Sequence, residues 1–156
     1  MYTKINEKDS AMKLGAIYSK EKTTFTLFSP VADSVFVIFY DKGNDSTETG
    51  RLEMMRGEGE LRSIFSATAE GNLDGVYYTY EVHTSDGTFS SHDPYARACG
   101  VNGHRSMVID LSKTDPDGFA DEDRPKLADP MSMVITEVSI VDVSAGASAH
   151  SMYPGK

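Results

Sequence analysis

The side chains in this sequence that could do chemistry are spread thinly. His83, His92, His104 and His150 are the only histidines, and their separations match no metal-ligand spacing. The acidic loops Asp41 to Asp45 and Asp115 to Asp123 lack the ordered ligand pattern of a calcium loop, so both read as solvated turns and no metal is expected. Gly57-Glu58-Gly59 has no strand-to-helix setting and so cannot cradle a phosphate. Asn44-Asp45-Ser46 fits a glycosylation acceptor, which matters only in a secretory context. Cys99 is the single cysteine, which excludes an internal disulfide and a thiolate zinc cluster. No cofactor is implied. The remaining candidates are tyrosines and phenylalanines in strand positions, which can pack a core or offer a platform to a ligand.

The elements that would position them follow a period of two from Thr23 onward. Thr24 to Leu27 alternates and Pro30 ends the run. Ser34 to Tyr40 is apolar on both faces, as in a strand covered on both sides. Short strands are expected at Leu52 to Met54 and Leu61 to Ala67, and a clearer one at Tyr77 to His83. Asp86-Gly87 then makes a hairpin with Thr88-Phe89. Ser106 to Asp110 closes the set. Such spacing favours an all-β, immunoglobulin-like antiparallel β-sandwich. The expected organisation is a tail over 1–13, the sandwich over 14–112, an extended Pro/Asp/Gly-rich connector over 113–132, and an extra strand within Met133 to Val143 before a flexible close.

With 156 residues there is room for one domain with a real core. Acidic residues outnumber basic ones, 24 to 15, for a formal charge of -9. That charge repels nucleic acid and anionic membranes but not neutral ligands such as sugars. Met1 to Leu14 contains no apolar stretch suited to a signal peptide, and no later stretch would span a bilayer, so the expectation for the sequence as written is a cytoplasmic location with no membrane partner, a secreted parent protein remaining the alternative.

Leu14-Gly15-Ala16, Thr23-Thr24-Phe25, Ser29-Pro30-Val31-Ala32 and the Val35 to Tyr40 strand come in one order. They are followed by Asp74 to Val82, Asp93-Pro94-Tyr95-Ala96, Val101-Asn102-Gly103 and Val108-Ile109-Asp110-Leu111. This series resembles the carbohydrate-binding module family 48 domain of type I pullulanases, within glycoside hydrolase family 13. Asp115-Pro116-Asp117-Gly118-Phe119 and Arg124-Pro125 resemble the stretch leading into the family's catalytic barrel. The resemblance covers roughly Leu14 to Ser144. It departs from the family where tryptophans are usual, at Phe28, Phe65 and Phe119, and in the first barrel strand, at Thr136, Ser139, Val141 and Val143.

The resemblance implies a non-catalytic front domain, because the family's catalytic carboxylates lie in the barrel. Glycoside hydrolysis needs two carboxyl groups across a scissile bond, and no local pair here stands in a cleft-like context. α-Glucan sites combine aromatic platforms with hydrogen-bonding side chains. The sugar-binding candidates are Phe89, Tyr40, Tyr80 and Asn102, while Thr79 falls near a lysine used by binding members of the family. The barrel-docking candidates are Asp93, Pro94, Tyr95 and Asn102. Expected partners are starch, glycogen or pullulan, the catalytic barrel, and a second copy joined through the docking surface or Met133 to Val143. A stand-alone glucan-binding module and a structural module without affinity for sugar remain the alternatives.

Overall fold

A computed structural model describes residues 13–123 and 126–146, with His150 and Met152. The expected N-terminal tail up to residue 12, Arg124-Pro125 and most of the flexible close lie outside the described residues. The chain divides into two compact units, the second beginning at Pro116.

Among its described residues the first unit contains nine strands: β1 Gly15–Tyr18, β2 Lys22–Phe28, β3 Ser34–Tyr40, β4 Glu48–Arg56, β5 Ile64–Glu70, β6 Tyr77–Thr84, β7 Gly87–Ser91, β8 Ala98–Cys99 and β9 Ser106–Met107. Their order is β1-β2-β5-β4-β3-β6-β9-β8, with β7 also on β6, and every pairing is antiparallel. The curl comes from β4. Its first part pairs with β3, from Glu48 opposite Tyr40 to Met54 opposite Val35, while Met55 and Arg56 pair with Ser66 and Phe65 of β5. One strand thus turns the corner between two packed sheets, in the manner of an immunoglobulin-like sandwich.

Alternation decides what lies between the sheets. Phe25 and Leu27 of β2, Val35 and Val37 of β3, Met54 of β4, Phe65 of β5, and Tyr78 and Tyr80 of β6 form the buried core. Phe25 stands edge-on to Tyr78 at 5.0 Å between ring centres and to Phe39 at 5.7 Å. Tyr78 meets Tyr80 at 5.8 Å. Edge-to-face packing suits the ring quadrupoles and fills the core without indole rings.

Among its described residues the second unit carries 3-10 turns at Phe119–Asp121 and Pro130–Ser132, and one helix, α1, at Ile140–Ala145. The strand expected within Met133 to Val143 is not formed. β-branched residues favour a strand only when a neighbouring strand supplies backbone partners and side-chain packing, and none pairs with this segment among the described residues. Instead Ser139 caps α1, its hydroxyl accepting from the Asp142 N–H at 3.3 Å. Among the described residues no helix is long and apolar enough to cross a membrane.

Candidate functional site

The outer face of the sheet built on β3 and β6 presents the residues that alternate with the core. Tyr40 pairs with Tyr77, Ile38 with Thr79, Phe36 with Glu81 and Ser34 with His83. The loop between β3 and β4 folds over one end of this face, so that a Cβ at Gly43 would lie 3.1 Å from the Tyr77 ring. Between that loop, β7 and the approach to β9 lies a groove of about 370 Å³, lined by Tyr40, Asn44, Asp45, Thr79, Ser90, His104 and Arg105. The Tyr40 and Thr79 hydroxyls are 3.3 Å apart on its floor. The Arg105 guanidinium lies 3.6 Å from the centre of the Tyr40 ring. Amide, carboxylate, hydroxyl and imidazole groups around one half-buried ring make a surface suited to a neutral polyhydroxyl ligand.

Beyond the groove the same face carries a polar chain. Arg51 donates to Glu48 through Nε and Nη2, both at 2.8 Å, and reaches Glu81 at 3.4 Å. Glu81 lies 3.0 Å from His83 Nε2, and His83 Nδ1 lies 3.2 Å from the Thr88 hydroxyl. The hydrogen bonds from Arg51 hold the Glu48 carboxyl below its ordinary range and raise the guanidinium's own pKa. Arg51 also lies over the Phe36 ring.

A second cavity, of about 250 Å³, opens between β1 and residues 107–112, with Tyr18, Met107 and Leu111 in its walls and Lys13 and Arg97 at its rim. Beside it Lys113 Nζ lies 2.6 Å from Asp74 Oδ2 and 3.7 Å from Asp110 Oδ2. Asp74 is held below its ordinary range chiefly by the Lys113 hydrogen bond, and Asp110 by the Ser112 hydroxyl. A general acid needs the opposite, a carboxyl raised toward neutrality. These two are built for anchoring.

The structure separates the residues named from sequence. Tyr40 reaches the groove. Tyr80 does not: it is 1% exposed, with its hydroxyl 3.2 Å from Asp93 Oδ2, because it shares the inward face of β6 with Tyr78. Phe89 is 53% exposed, but it pairs with Val82 and so stands on the opposite side of the sheet from Tyr40. Asn102 occupies an exposed turn at Val101–Gly103 in the left-handed conformation, φ 53°. Of the docking candidates, Pro94 and Tyr95 are exposed, whereas Asp93 is buried at 2% and turns its carboxylate inward. Sequence reasoning missed Arg105, Ser90 and the role of His104. Arg105 precedes the inward Ser106 by one residue, and that alternation was the available signal.

The carbohydrate-binding module 48 family, described as the isoamylase N-terminal domain, matches residues 13–96. Pullulanase A of Streptococcus pneumoniae serotype 4 is 31% identical over 116 residues, covering 70% of this chain and 9% of that protein. The pullulanase of Bacillus subtilis strain 168 is 27% identical over 145 residues, covering 92% and 19%. Among solved structures, pullulanase from Bacillus acidopullulyticus superposes with a TM-score of 0.76 at 35% identity, covering 86% of this chain and 16% of that one. Pullulanase from Paenibacillus barengoltzii in complex with maltohexaose and α-cyclodextrin gives 0.76 at 33% identity, covering 86% and 20%. The chain therefore spans a fifth or less of the length of each of these proteins.

Proposed function

The chain belongs to the carbohydrate-binding module 48 family, and from that premise we propose that it is the non-catalytic N-terminal module of a pullulanase-type enzyme that debranches α-glucans. In this reading it holds starch, glycogen or pullulan at the groove beside Tyr40. The observation that carries the reading is the groove itself, where a tyrosine and a ring of hydrogen-bonding side chains meet on the outer sheet face. The relatives support it, since they are pullulanases. Affinity electrophoresis of the chain in gels containing starch, glycogen or pullulan tests it. Retarded migration in at least one gel is expected, and free migration in all three rejects the glucan reading.

A second reading, that the module docks on the catalytic barrel, is favoured by the segment after β7. Asp93 is anchored in the core while Pro94, Tyr95 and Val101 stand outward, Tyr95 at 43% and Val101 at 58% exposure. Exposed apolar groups held on a rigid anchor suit a docking seam. Removal of the module from a full-length enzyme is expected to lower its thermal stability or yield, and unchanged stability and yield reject the docking role.

A further inference from the structure

Arg105 stands where the β3–β4 loop, the turn before β9 and the outer sheet face converge. Its Nη1 donates to the Lys42 carbonyl at 2.7 Å and the Ser46 hydroxyl at 2.8 Å, and its Nη2 to the Ser46 carbonyl at 2.8 Å. One guanidinium thus bridges the two ends of the loop that carries Asn44 and Asp45. The Arg105 carbonyl accepts from the Gly100 N–H at 2.8 Å. At Gly100 the chain touches the loop again, so closely that a Cβ there would lie 2.6 Å from the Gly43 Cα. Asp45 sits in the left-handed region, φ 48°, a turn conformation that aspartate tolerates better than most residues.

We propose that Arg105 is the positioning and specificity-determining residue of this groove, tying Lys42 to Ser46 and covering one face of Tyr40. The proposal rests on the glucan reading above and deepens it. Three of the guanidinium's five N–H donors are committed to the loop, which holds it in place over the ring. It stacks on one face of the Tyr40 ring, so that face is closed to a sugar. Phe89, the exposed aromatic of the β6–β7 hairpin, lies on the opposite side of the sheet. The groove is therefore read through hydroxyl hydrogen bonds, by Asn44, Asp45, Thr79 and Ser90, more than through stacking. A loop fixed in advance spares the ligand the cost of ordering it. Lysine cannot replace this arginine, since a single ammonium lacks the fork that spans two carbonyls.

The test compares the wild-type chain with Arg105→Lys and Ser46→Ala, using maltoheptaose titration and amide hydrogen exchange across residues 42–46. Arg105→Lys is expected to weaken maltoheptaose binding about fivefold or more and to speed exchange at Asn44 to Ser46 about tenfold, with a retained cooperative melt. Ser46→Ala, which removes one acceptor and cannot unfold the sheet, is expected to move both readouts the same way by less. Faster exchange with unchanged affinity overturns the positioning role, as does unchanged exchange in both variants. A wild-type chain that binds no maltoheptaose rejects the glucan reading instead, and the exchange data then decide the loop clamp alone: acceleration supports it and no change overturns it.

Discussion

The Tyr78 hydroxyl donates to Asp93 Oδ2 at 2.7 Å, inside the core and with no cation bonded to that carboxylate among the described residues. Tyr80 donates to the same oxygen at 3.2 Å, and the Tyr95 N–H donates to Oδ1 at 2.8 Å. The Asp93 N–H in turn donates to the Ser106 hydroxyl. The turn after β7 is thus nailed to the middle of β6 by neutral donors.

Asp93→Ala strands two buried phenols, and loss of a partner from a buried polar group costs about 1–3 kcal/mol each. A lower urea midpoint with unchanged slope is expected, and Tyr78→Phe should cost less, about 1.5–3 kcal/mol, because one donor to a charged acceptor is lost. Burial, then the Asp93 charge, pushes the pKa of Tyr78 and of Tyr80 up from 10.0. A phenol raised in the folded state stabilises the fold below its unfolded pKa, near 10, and loses that contribution as pH rises toward the folded value. Unfolding above pH 10 should therefore be blunted in Tyr78→Phe. An Asp93→Ala midpoint equal to wild type would mean that Asp93 does not anchor the turn.

The Asp74–Lys113–Asp110 cluster predicts the acid limb. Both carboxyls are held below 3.8, so their contribution is full above that value and fades as pH falls through the folded pKa. Lys113 is raised by the Asp74 hydrogen bond, so its share is present below its unfolded value of 10.5 and fades at higher pH. Asp74→Asn is expected to flatten the decline in melting temperature between pH 5 and pH 2, and an unaltered acid slope would contradict it.

Much of the fold was legible because Thr24 to Leu27 of β2 alternates in type, β3 is apolar on both faces as a covered strand should be, β6 is rich in aromatic and β-branched residues, and Asp86-Gly87 marks the hairpin. β4 was seen only at its centre. Its outward Arg51 and Glu53 break the apolar pattern, and its full span Glu48–Arg56 depends on pairing with two different sheets. β1 is four residues long and is fixed by its register with β2 rather than by its own sequence. The site was half legible for the same reason. Strand parity put Tyr78 and Tyr80 together on one face, but not which tyrosine row was core. Arg105 reaches Tyr40 across 65 positions of sequence through a loop whose path no local pattern encodes.

Gly43 and Gly100 give a test of that path. The backbone at Gly100 is extended, φ -78°, so alanine suits its conformation, yet its Cβ would lie 2.6 Å from the Gly43 Cα and 2.9 Å from the Gly43 carbonyl oxygen. Gly100→Ala should force the two segments apart at a cost of about 1–3 kcal/mol. Gly43→Ala meets the same contact at 2.9 Å together with the Tyr77 ring. Thermal melts check both, and a Gly100→Ala melting temperature within error of wild type would mean the segments do not touch.

Register, finally, sets Tyr40 against Phe89. Tyr40 faces outward beside Thr79 and the groove, whereas Phe89 follows Val82 to the other side of the sheet. If glucan occupies the groove, Tyr40→Ala removes its floor and unseats Arg105, so retention in a glucan gel should fall about tenfold, the effect of a central contact worth more than 1 kcal/mol. Tyr40→Phe keeps the ring under the guanidinium and loses only the hydroxyl, so its loss should be smaller. Phe89→Ala should leave retention within about twofold, since truncation of a residue outside the contact is near neutral. Equal losses for Tyr40→Ala and Phe89→Ala would place the glucan across the β7 edge, where both sheet faces can be reached, and a loss for Phe89→Ala alone would move it off the groove.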